Sequence, residues 1–546
     1  MSMSRFNVVF FCTDQQRWDQ VGYNGNSLIR TPTIDKLANN GVVFDNHIAS
    51  CPFCMPSRAT FFTGQYHRNN KLWNHFYRLN HDRITTLADV FARNGYATHS
   101  CGKLHLNTWG EGVATNETPE HPDFWTQDIN PDWKGPYLGF EGVDLEIGHG
   151  FSSAICGGHY TQWVKKQGPG FIKRYAPDGD TRAFLNCFNV KLGEREVHDL
   201  WKMEQLDEKD HHNSWVSRKA TEYINSNKEN PFFLWVSYPD PHHPFSAPYP
   251  YCNAYNPASV PLPLRKKGEL DHMPSIYREA SAKGSSYSPY SGRLSDATMR
   301  GIISQSYGMV EHIDDCINRV VKAVEKNGLL EKTIFVFTTD HGEMLGNHGL
   351  IRKSFFGYRD LLRTPFFISG KPIEALIKRK KIGEYSSHID IMPTLLSICG
   401  LSTSAKMDGL DLLPVINGGN IPRDMVMSEW EANSRQSRQY CQHLFYKNFR
   451  LTIFPNNPEW VELFDFSSDP NEFNNQAANP KYGEILEFMK KALNDRFPPV
   501  REETDILPFY RECSYYDELK DAVKKGRWAT SVDYVAALKK AGVENI

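Results

Sequence analysis

The sequence predicts an α/β protein with a large, mainly parallel sheet sandwiched by helices, followed by a smaller C-terminal α+β domain. Short apolar runs that lead into polar residues alternate with helical patterns, which favours a mainly parallel sheet covered on both faces. A chain of 546 residues is long enough for one large domain and a smaller one. With 40% hydrophobic and 23% charged residues, the composition is typical of a globular protein rather than a disordered one.

Four apolar runs are predicted to be strands buried on both faces, because they are short and rich in Val, Phe and Thr. They span residues 6–12, 96–101, 232–238 and 333–339. The residues that follow them are polar and include Asp14, Gln15, Lys103, His105, Asp240, His242, His243, Asp340 and His341. Ligands bind at the carboxyl ends of the strands in such sheets, so we expect these clusters to form one site. The alternative is that each cluster is an ordinary polar loop.

The helical patterns are clearest at residues 307–324, where apolar side chains recur at spacings of three and four. Asn327 and Gly328 are predicted to stop this helix. A shorter helix is predicted to end before Gly41 by the same logic.

The stretch "CPFCMPSRATFFTG", residues 51–64, predicts a further helix. Pro56 suits its first turn and Gly64 its end, so Cys54 is expected at a helix N-terminus, where free N–H groups and the dipole favour anions. A zinc or redox site built on Cys51 and Cys54 is the alternative. It lacks a second Cys/His pair at zinc spacing.

Composition and charge argue against several classes of partner. The formal net charge of −2 predicts no large basic surface for nucleic acid, and the basic run at 378–381 is interpreted as a solvated helix end. The sequence has no apolar run of 18 residues, and its N-terminus lacks a signal-peptide layout, so we expect a cytoplasmic protein without membrane partners. Eleven scattered cysteines indicate reduced thiols, not a disulfide framework.

Several motifs together resemble those of the sulfatases, within the alkaline phosphatase superfamily. The signature C-x-P-S-R followed by T-G is matched by Cys54, Pro56, Ser57, Arg58, Thr63 and Gly64. A second stretch, G-Y-x-T-x-x-x-G-K-x-H, is matched by Gly95, Tyr96, Thr98, Gly102, Lys103 and His105. Further likenesses lie at "PHHPF", "TTDHGEMLGNHGLIRK", 387–400 and 462–472, and they contribute His242, Asp340, His341 and Lys353. The likeness covers roughly residues 5–480 and implies an alkaline phosphatase-like fold.

This resemblance implies that a separate formylglycine-generating enzyme oxidises Cys54 to an aldehyde. One hydroxyl of the hydrated aldehyde would attack sulfur, and deprotonation of the other would expel the product, which a thiol cannot do. A divalent cation would activate the attacking hydroxyl, and the implied metal contacts are Asp14, Gln15, Cys54, Asp340 and His341. Oxygen ligands favour Ca²⁺, although Gln15 and His341 depart from the commonest sulfatase pattern. Gln15 removes one negative charge, and the imidazole of His341 would suit Mn²⁺ or Zn²⁺ better.

The resemblance also implies roles for five charged or basic residues. Arg58, one turn beyond Cys54, would brace the diol and the metal carboxylates. Lys103 and Lys353 would hold the sulfate and the diol. His105 would accept the proton of the second hydroxyl, and His242 would protonate the leaving oxygen.

The predicted activity is therefore the hydrolysis of sulfate monoesters. The alternative is a phosphonate monoester or phosphodiester hydrolase of the same superfamily. Gln15 and His341 resemble the residues of that branch, whereas Lys103 and His105 resemble those of true sulfatases. A remote alternative is a non-catalytic anion-binding protein on the same fold, in which Cys54 stays a thiol. Aryl, choline and sugar sulfates all remain candidate substrates.

Additional residues are weaker candidates for the site. His243 could share the role of His242, and Asn74 and His348 could contact substrate. Residues 106–230 and 252–300 are expected to carry substrate choice. The first segment contains four tryptophans, Trp109, Trp125, Trp133 and Trp163. We expect them to pack in the core rather than to stack on a leaving group.

The predicted domains are a catalytic domain at 1–400 and a smaller domain with an antiparallel sheet at 401–500, with a linker at 407–419. An extension follows at 501–546, with helical patterns near 516–525 and 531–541. It could clasp the domain or a second subunit, so a homo-oligomer is one expectation.

Overall fold

An eight-stranded sheet forms the centre of the protein in the computed structural model. Its strands are β1 (Asn7–Thr13), β2 (Val42–Ile48), β3 (Ala97–Gly102), β4 (Gly142–Leu145), β5 (Phe232–Ser237), β6 (Thr333–Thr339), β7 (Phe367–Ser369) and β8 (Lys381–Ser387). The spatial order is β4-β3-β5-β1-β6-β7-β2-β8. Strand β7 runs antiparallel to both of its neighbours, and the other pairings are parallel. The structure describes residues 5–74, 77–108, 117–125, 133–148, 157–168, 171, 206–283, 294–434, 437–500 and 505–525.

The four strands predicted from the sequence occupy adjacent places in this sheet. Strands β3, β5, β1 and β6 lie side by side and parallel, and β1, β5 and β6 are buried at every position. Their carboxyl ends therefore reach the same edge of the sheet. This is the edge at which Lys103, Asp240, Asp14 and Asp340 follow the strands.

The α-helices lie between and after the strands along the chain. They are α1 (Pro32–Asn39), α2 (Cys54–Thr63), α3 (His67–Asn70), α4 (Leu87–Arg93), α5 (Gly158–Lys166), α6 (His212–Ser226), α7 (Ser275–Lys283), α8 (Asp296–Lys326), α9 (Arg359–Leu362), α10 (Lys371–Glu374), α11 (Ile391–Ile398), α12 (Leu413–Ile416), α13 (Gly483–Arg496) and α14 (Tyr516–Lys525). The helix expected at 307–324 is α8, which begins earlier because Ser295 caps it by accepting from the Thr298 N–H. Its last residue is Lys326, and Asn327 is the C-cap that stops it, as predicted.

A four-stranded antiparallel sheet follows the large one, as the sequence predicted. It has the order β12-β11-β10-β9, with β9 (Met425–Ser434), β10 (Ser437–Tyr446), β11 (Phe449–Ile453) and β12 (Val461–Asp465). Side chains on one face pack with Leu486, Met489 and Leu493 of α13. The other face packs with Phe355, Phe356 and Tyr358, which precede α9. The small sheet thus shares a core with the segment that follows Lys353.

The C-terminal segment packs on the region before α4. The hydroxyl of Tyr510 donates to the carbonyl of Lys71 at 2.9 Å, and its ring lies 5.2 Å from that of Tyr77. The helix expected near 516–525 is α14, and the pattern near 531–541 lies outside the described residues. In the ranges that the structure describes, no helix has both the length and the apolar character needed to cross a bilayer.

Candidate active site

Cys54 is fully buried at the first position of α2, as the sequence predicted. Its Sγ lies 3.7 Å from Asp14 Oδ1 and 3.3 Å from His341 Nε2, and it accepts a hydrogen bond from Lys353 Nζ at 2.7 Å. Burial raises the pKa of the Cys54 thiol to about 11, and the Asp14 carboxylate adds to the effect. The thiol is therefore protonated at neutral pH.

Residues from three elements place oxygen, nitrogen and sulfur atoms around one point. One ligand atom each from Asp14, Cys54, Asp340 and His341 lies within 4.8 Å of the others, and all four residues are buried. Asp14 and Asp340 follow neighbouring strands, which is why residues so far apart in sequence meet here. Such a donor set fits a divalent cation.

Gln15 provides a test of that fit. Its backbone N–H donates to Asp340 Oδ1 at 3.0 Å, and its side-chain amide nitrogen contacts Glu343 and lies 3.2 Å from His243 Nδ1. Both contacts use the amide nitrogen, which leaves the buried Oε1 without a hydrogen-bond partner in the described part of the chain. A buried acceptor in this state needs a donor or a cation, so Gln15 fits the predicted ligand set.

His341 presents one particular nitrogen to the cluster. Its Nδ1 lies 2.8 Å from the carbonyl oxygen of Gly342, which can only accept, so Nδ1 carries the ring proton. The Nε2 lone pair then faces Cys54 and Lys353. Burial lowers the pKa of His341 to about 4, and the Lys353 ammonium contributes in the same direction. A neutral imidazole with this tautomer can serve as a metal ligand.

Arg58 joins the carboxylates of Asp14 and Asp340. Its Nε donates to Asp340 Oδ2 at 2.8 Å and a terminal nitrogen donates to Asp14 Oδ2 at 3.1 Å, with all three side chains fully buried. The other terminal nitrogen donates to the carbonyl of Lys103 and to the Ser237 hydroxyl. The guanidinium therefore fixes the carboxylates in place and offsets their charge.

Two lysines contact different members of the cluster. Lys103 Nζ donates to Asp14 Oδ2 at 2.5 Å, and Lys353 Nζ bonds to Cys54 and lies 3.0 Å from His341 Nε2. Burial alone would raise the pKa of Asp14, but the charges of Lys103 and Arg58 hold that pKa far below its ordinary value. The site thus concentrates positive charge where an anionic group would meet Cys54.

The histidines after β3 and β5 are buried at the same edge of the sheet. His105 follows Lys103 by two residues and has φ of 56°. His242 Nδ1 lies 2.6 Å from the carbonyl oxygen of His243, which places the proton on that nitrogen. The two ring nitrogens of His243 contact Gln15 and Arg352 instead. His242 and His243 therefore have different partners, although their rings lie 3.9 Å apart.

The weaker candidates have other surroundings. His348 Nδ1 lies 2.7 Å from Glu269, and the ring stacks on Tyr358. It lines a cavity of about 620 Å³ together with Trp18. Asn74 is buried after α3. Trp125 and Trp133 pack with His159, and Trp163 packs with Tyr160, whereas Trp109 lies outside the described residues.

Sequence reasoning gave no role to several residues that support this site. Glu343 contacts the side chain of Gln15, and Arg352 contacts the ring of His243. The carboxylate of Asp240 is hydrogen-bonded to His212 of α6. Glu343 and Asp240 stand in the polar clusters after β6 and β5, so their position was a usable signal. Arg352 precedes the predicted Lys353, but nothing in the spacing indicates its contact with His243, which is 109 residues away.

The sequence of this chain is similar to those of known proteins. The sequence profile of the family described as Sulfatase matches residues 6–401, and a profile described as N-sulphoglucosamine sulphohydrolase, C-terminal, matches residues 346–497. An arylsulfatase of Clostridium perfringens is 27% identical over 501 residues, which is 89% of this chain and 93% of that protein. The multifunctional alkaline phosphatase superfamily protein PehA of Trinickia caryophylli is 26% identical over 532 residues, which is 90% of this chain and 96% of that protein.

A solved structure carries the same architecture. The phosphonate monoester hydrolase from Silicibacter pomeroyi has a TM-score of 0.72 at 23% identity, and the match covers 91% of this chain and 96% of that one. At this identity the likeness bears on the fold alone, and it confirms the predicted alkaline phosphatase-like class. The Sulfatase profile spans most of the chain, from β1 to just past α11, and so the chain belongs to the sulfatase family.

Proposed function

We propose that this protein hydrolyses sulfate monoesters and that Cys54, converted to formylglycine, is its nucleophile. The observation that carries the proposal is the position of Cys54, which lies at a helix N-terminus between Asp14 and His341. Lys353 donates to its Sγ at 2.7 Å. A group on this side chain is thus surrounded by cationic and metal-ligating residues, as attack on an anionic ester requires. Membership of the sulfatase family supports the same reaction.

The metal in this proposal is Ca²⁺, held by Asp14, Gln15, Asp340, His341 and the modified Cys54. When bound, a divalent cation polarises the transferred group and lowers the pKa of a hydroxyl beside it. The three oxygen-bearing side chains favour a hard cation, and the neutral His341 nitrogen keeps Mn²⁺ and Zn²⁺ as alternatives to be tested.

The chain's own residues have the following proposed roles. Arg58 holds the carboxylates of Asp14 and Asp340 at a fixed spacing. Lys103 and Lys353 bind the sulfate oxygens. Burial lowers the pKa of His242 well below its ordinary value, so its Nε2 takes up a proton from solvent only beside the bound anionic ester. The doubly protonated ring then donates that proton from Nε2 to the leaving oxygen while Nδ1 keeps its bond to the backbone, and His105 acts as the general base.

Sulfated sugars are the proposed substrate class. The match to the profile described as N-sulphoglucosamine sulphohydrolase, C-terminal, over residues 346–497 supports this choice, because the matched region includes Lys353 and the small sheet. The proposal also includes a formylglycine-generating enzyme as partner, a cytoplasmic location, a possible homo-oligomer, and the domain boundaries at 400 and 500 predicted from the sequence.

A substrate panel tests the reaction type. Aryl and sugar sulfates are expected to give a higher kcat/KM than matched phosphonate monoesters and phosphodiesters, because Lys103 and His105 stand beside the transferred group. A higher kcat/KM for the phosphorus esters would favour the alternative activity. The mass of the tryptic peptide containing Cys54, from protein made in its native host, should show the aldehyde or its hydrate, and an unmodified thiol throughout would contradict the proposed nucleophile.

Removal of the metal is expected to lower kcat/KM for an aryl sulfate by at least about 10³-fold, because the cation supplies several kcal/mol of charge stabilisation. The measurement is turnover after chelation and dialysis, followed by addition of Ca²⁺, Mn²⁺ or Zn²⁺ in separate samples. Thermal unfolding of the same samples reports binding without reference to activity. Recovery with Mn²⁺ or Zn²⁺ but not with Ca²⁺ would overturn the proposed metal, and full activity after chelation would overturn the metal site.

A further inference from the structure

Asp240 lies two residues before His242 and is fully buried. Its carboxylate meets the start of α6, where His211, His212 and Asn213 are also fully buried. We call these four residues the Asp240 cluster. The roles proposed above use none of them.

Two side chains of α6 are within hydrogen-bond distance of the two oxygens of the carboxylate, and the ring of the residue before α6 lies nearby. His212 Nε2 lies 3.0 Å from Oδ1 of Asp240, and Asn213 Nδ2 donates to Oδ2 at 2.8 Å. His211 Nε2 is farther from Oδ2, at 3.8 Å. Burial lowers the pKa of His211 and of His212 well below the ordinary value, so both rings are neutral and each carries one N–H.

Two imidazoles and a carboxylate are also a donor set that holds Zn²⁺, and their ligand atoms lie within 4.8 Å of one another. The contacts argue for hydrogen bonds instead. His211 Nδ1 accepts the backbone N–H of Asn213 at 3.3 Å, so the ring proton lies on Nε2, the nitrogen that faces Asp240. A protonated nitrogen cannot bind a metal, and both carboxylate oxygens already accept hydrogen bonds from α6.

The backbone of Asp240 connects this cluster to the site. Its carbonyl accepts the N–H of Asp14 at 3.1 Å. Asp240 therefore contacts α6 through its carboxylate and the predicted metal ligand Asp14 through its backbone. At the other end of the loop, Gln15 and Arg352 contact the ring of His243. His242 stands between these two attachments.

We propose that Asp240 is a positioning residue that holds His242 in line with the leaving oxygen. The inference rests on the proposed role of His242 in sulfate ester hydrolysis. Anchoring the loop on both sides of His242 restricts the ring that must reach the substrate. A displacement of about 1 Å in a catalytic group can cost about 10²-fold in rate.

The test is the dependence of rate on the leaving group in Asp240→Asn. This variant keeps the size of the side chain but sets an amide N–H against one of the α6 donors. For an alkyl or sugar sulfate, whose leaving oxygen needs a proton, we expect kcat to fall by about 10²-fold. For 4-nitrophenyl sulfate, whose leaving group is stable as an anion, the fall should stay below about 10-fold. An equal fall for both substrates would overturn the inference.

His242→Ala separates this inference from the proposed function. It should show the same selective loss for poor leaving groups, and adding Asp240→Asn to it should cause little further loss, because the two residues act as one unit. If His242→Ala is not selective, the assignment of His242 fails. If it is selective but Asp240→Asn is not, the role of Asp240 alone fails.

Two further comparisons control for stability and for metal. His212→Leu should show the same selective loss for poor leaving groups, and His212→Gln, which retains an N–H donor, should recover most of that loss; this pair tests the cluster even if Asp240→Asn folds poorly. Asp144→Asn is the matched control, because Asp144 also pairs with a histidine, His99, at 3.0 Å but lies within β4, at the end of the same sheet. Its leaving-group dependence should equal that of the wild type. One equivalent of zinc that is present in wild type and lost in Asp240→Asn would overturn the hydrogen-bonded cluster.

Discussion

Cys54→Ala is expected to lose turnover of sulfate esters by on the order of 10⁶-fold while the fold is retained. In the proposed mechanism the side chain of Cys54 supplies the nucleophile, and alanine offers no atom for the covalent step. The fold should tolerate the change because alanine is smaller and favours the helical conformation that α2 already has at this residue. The measurements are single-turnover kinetics with an aryl sulfate and thermal unfolding of both proteins.

The matched control for this prediction is Cys51→Ala. Cys51 is equally buried three residues earlier, but it packs in an apolar core cluster with Ile48 and Phe53. Its replacement should leave kcat within about a few-fold, since only packing is altered. Metal binding gives a second check, because Cys54→Ala keeps Asp14 and Asp340 and should still be stabilised by the cation. Turnover by Cys54→Ala close to that of the wild type would refute the nucleophile.

The strands that carry the site could be predicted from sequence because they are buried on both faces. Strands β1, β5 and β6 read as continuous apolar runs, and the observed bounds fall within one residue of the predicted ones. Strand β8, by contrast, has the exposed residues Lys381 and Gly383, and β7 has only three residues. These two strands lack the apolar run that predicts a strand, so their places in the sheet could not be read from the sequence.

The position of Cys54 could be predicted for a related reason. Pro56 and Gly64 mark the ends of a helix by local chemistry, and the structure confirms both, with Gly64 at φ of 63°. The supports behind the site could not be predicted, since Asn213 reaches Asp240 across 27 residues and Arg352 reaches His243 across 109. Those contacts depend on which strands become neighbours in the sheet, and the local spacing of residues does not predict the strand order.

Arg58→Ala is expected to destabilise the metal-free protein by about 3–5 kcal/mol. Arg58 is fully buried and bonds to Asp14 at 3.1 Å and Asp340 at 2.8 Å, so its removal leaves two buried carboxylates with less compensation. The carbonyl of Lys103 also loses a donor. Lys103 still pairs with Asp14, so the charge of that carboxylate stays partly compensated after Arg58 is removed.

The metal should reverse part of this loss. A divalent cation bound by Asp14 and Asp340 neutralises the same two charges, so it should stabilise Arg58→Ala more than it stabilises the wild type. The measurement is the difference in midpoint of thermal unfolding between samples with chelator and samples with saturating Ca²⁺. We also expect kcat to fall by about 10²- to 10³-fold with metal present, because the cation restores the charge but not the fixed spacing of the carboxylates.

Arg68→Ala supplies the matched comparison for the charge argument. Arg68 bonds to the fully buried Glu429 at 2.6 Å, next to the small sheet and apart from the residues around Cys54. Its removal also leaves a buried carboxylate without its guanidinium, so a comparable loss of stability is expected. The increase in stability on adding Ca²⁺ should nevertheless equal that of the wild type, because no proposed metal ligand contacts Glu429 among the described residues. Equal Ca²⁺-dependent stabilisation in Arg58→Ala and the wild type would show that the cation and the guanidinium do not share the carboxylates of Asp14 and Asp340.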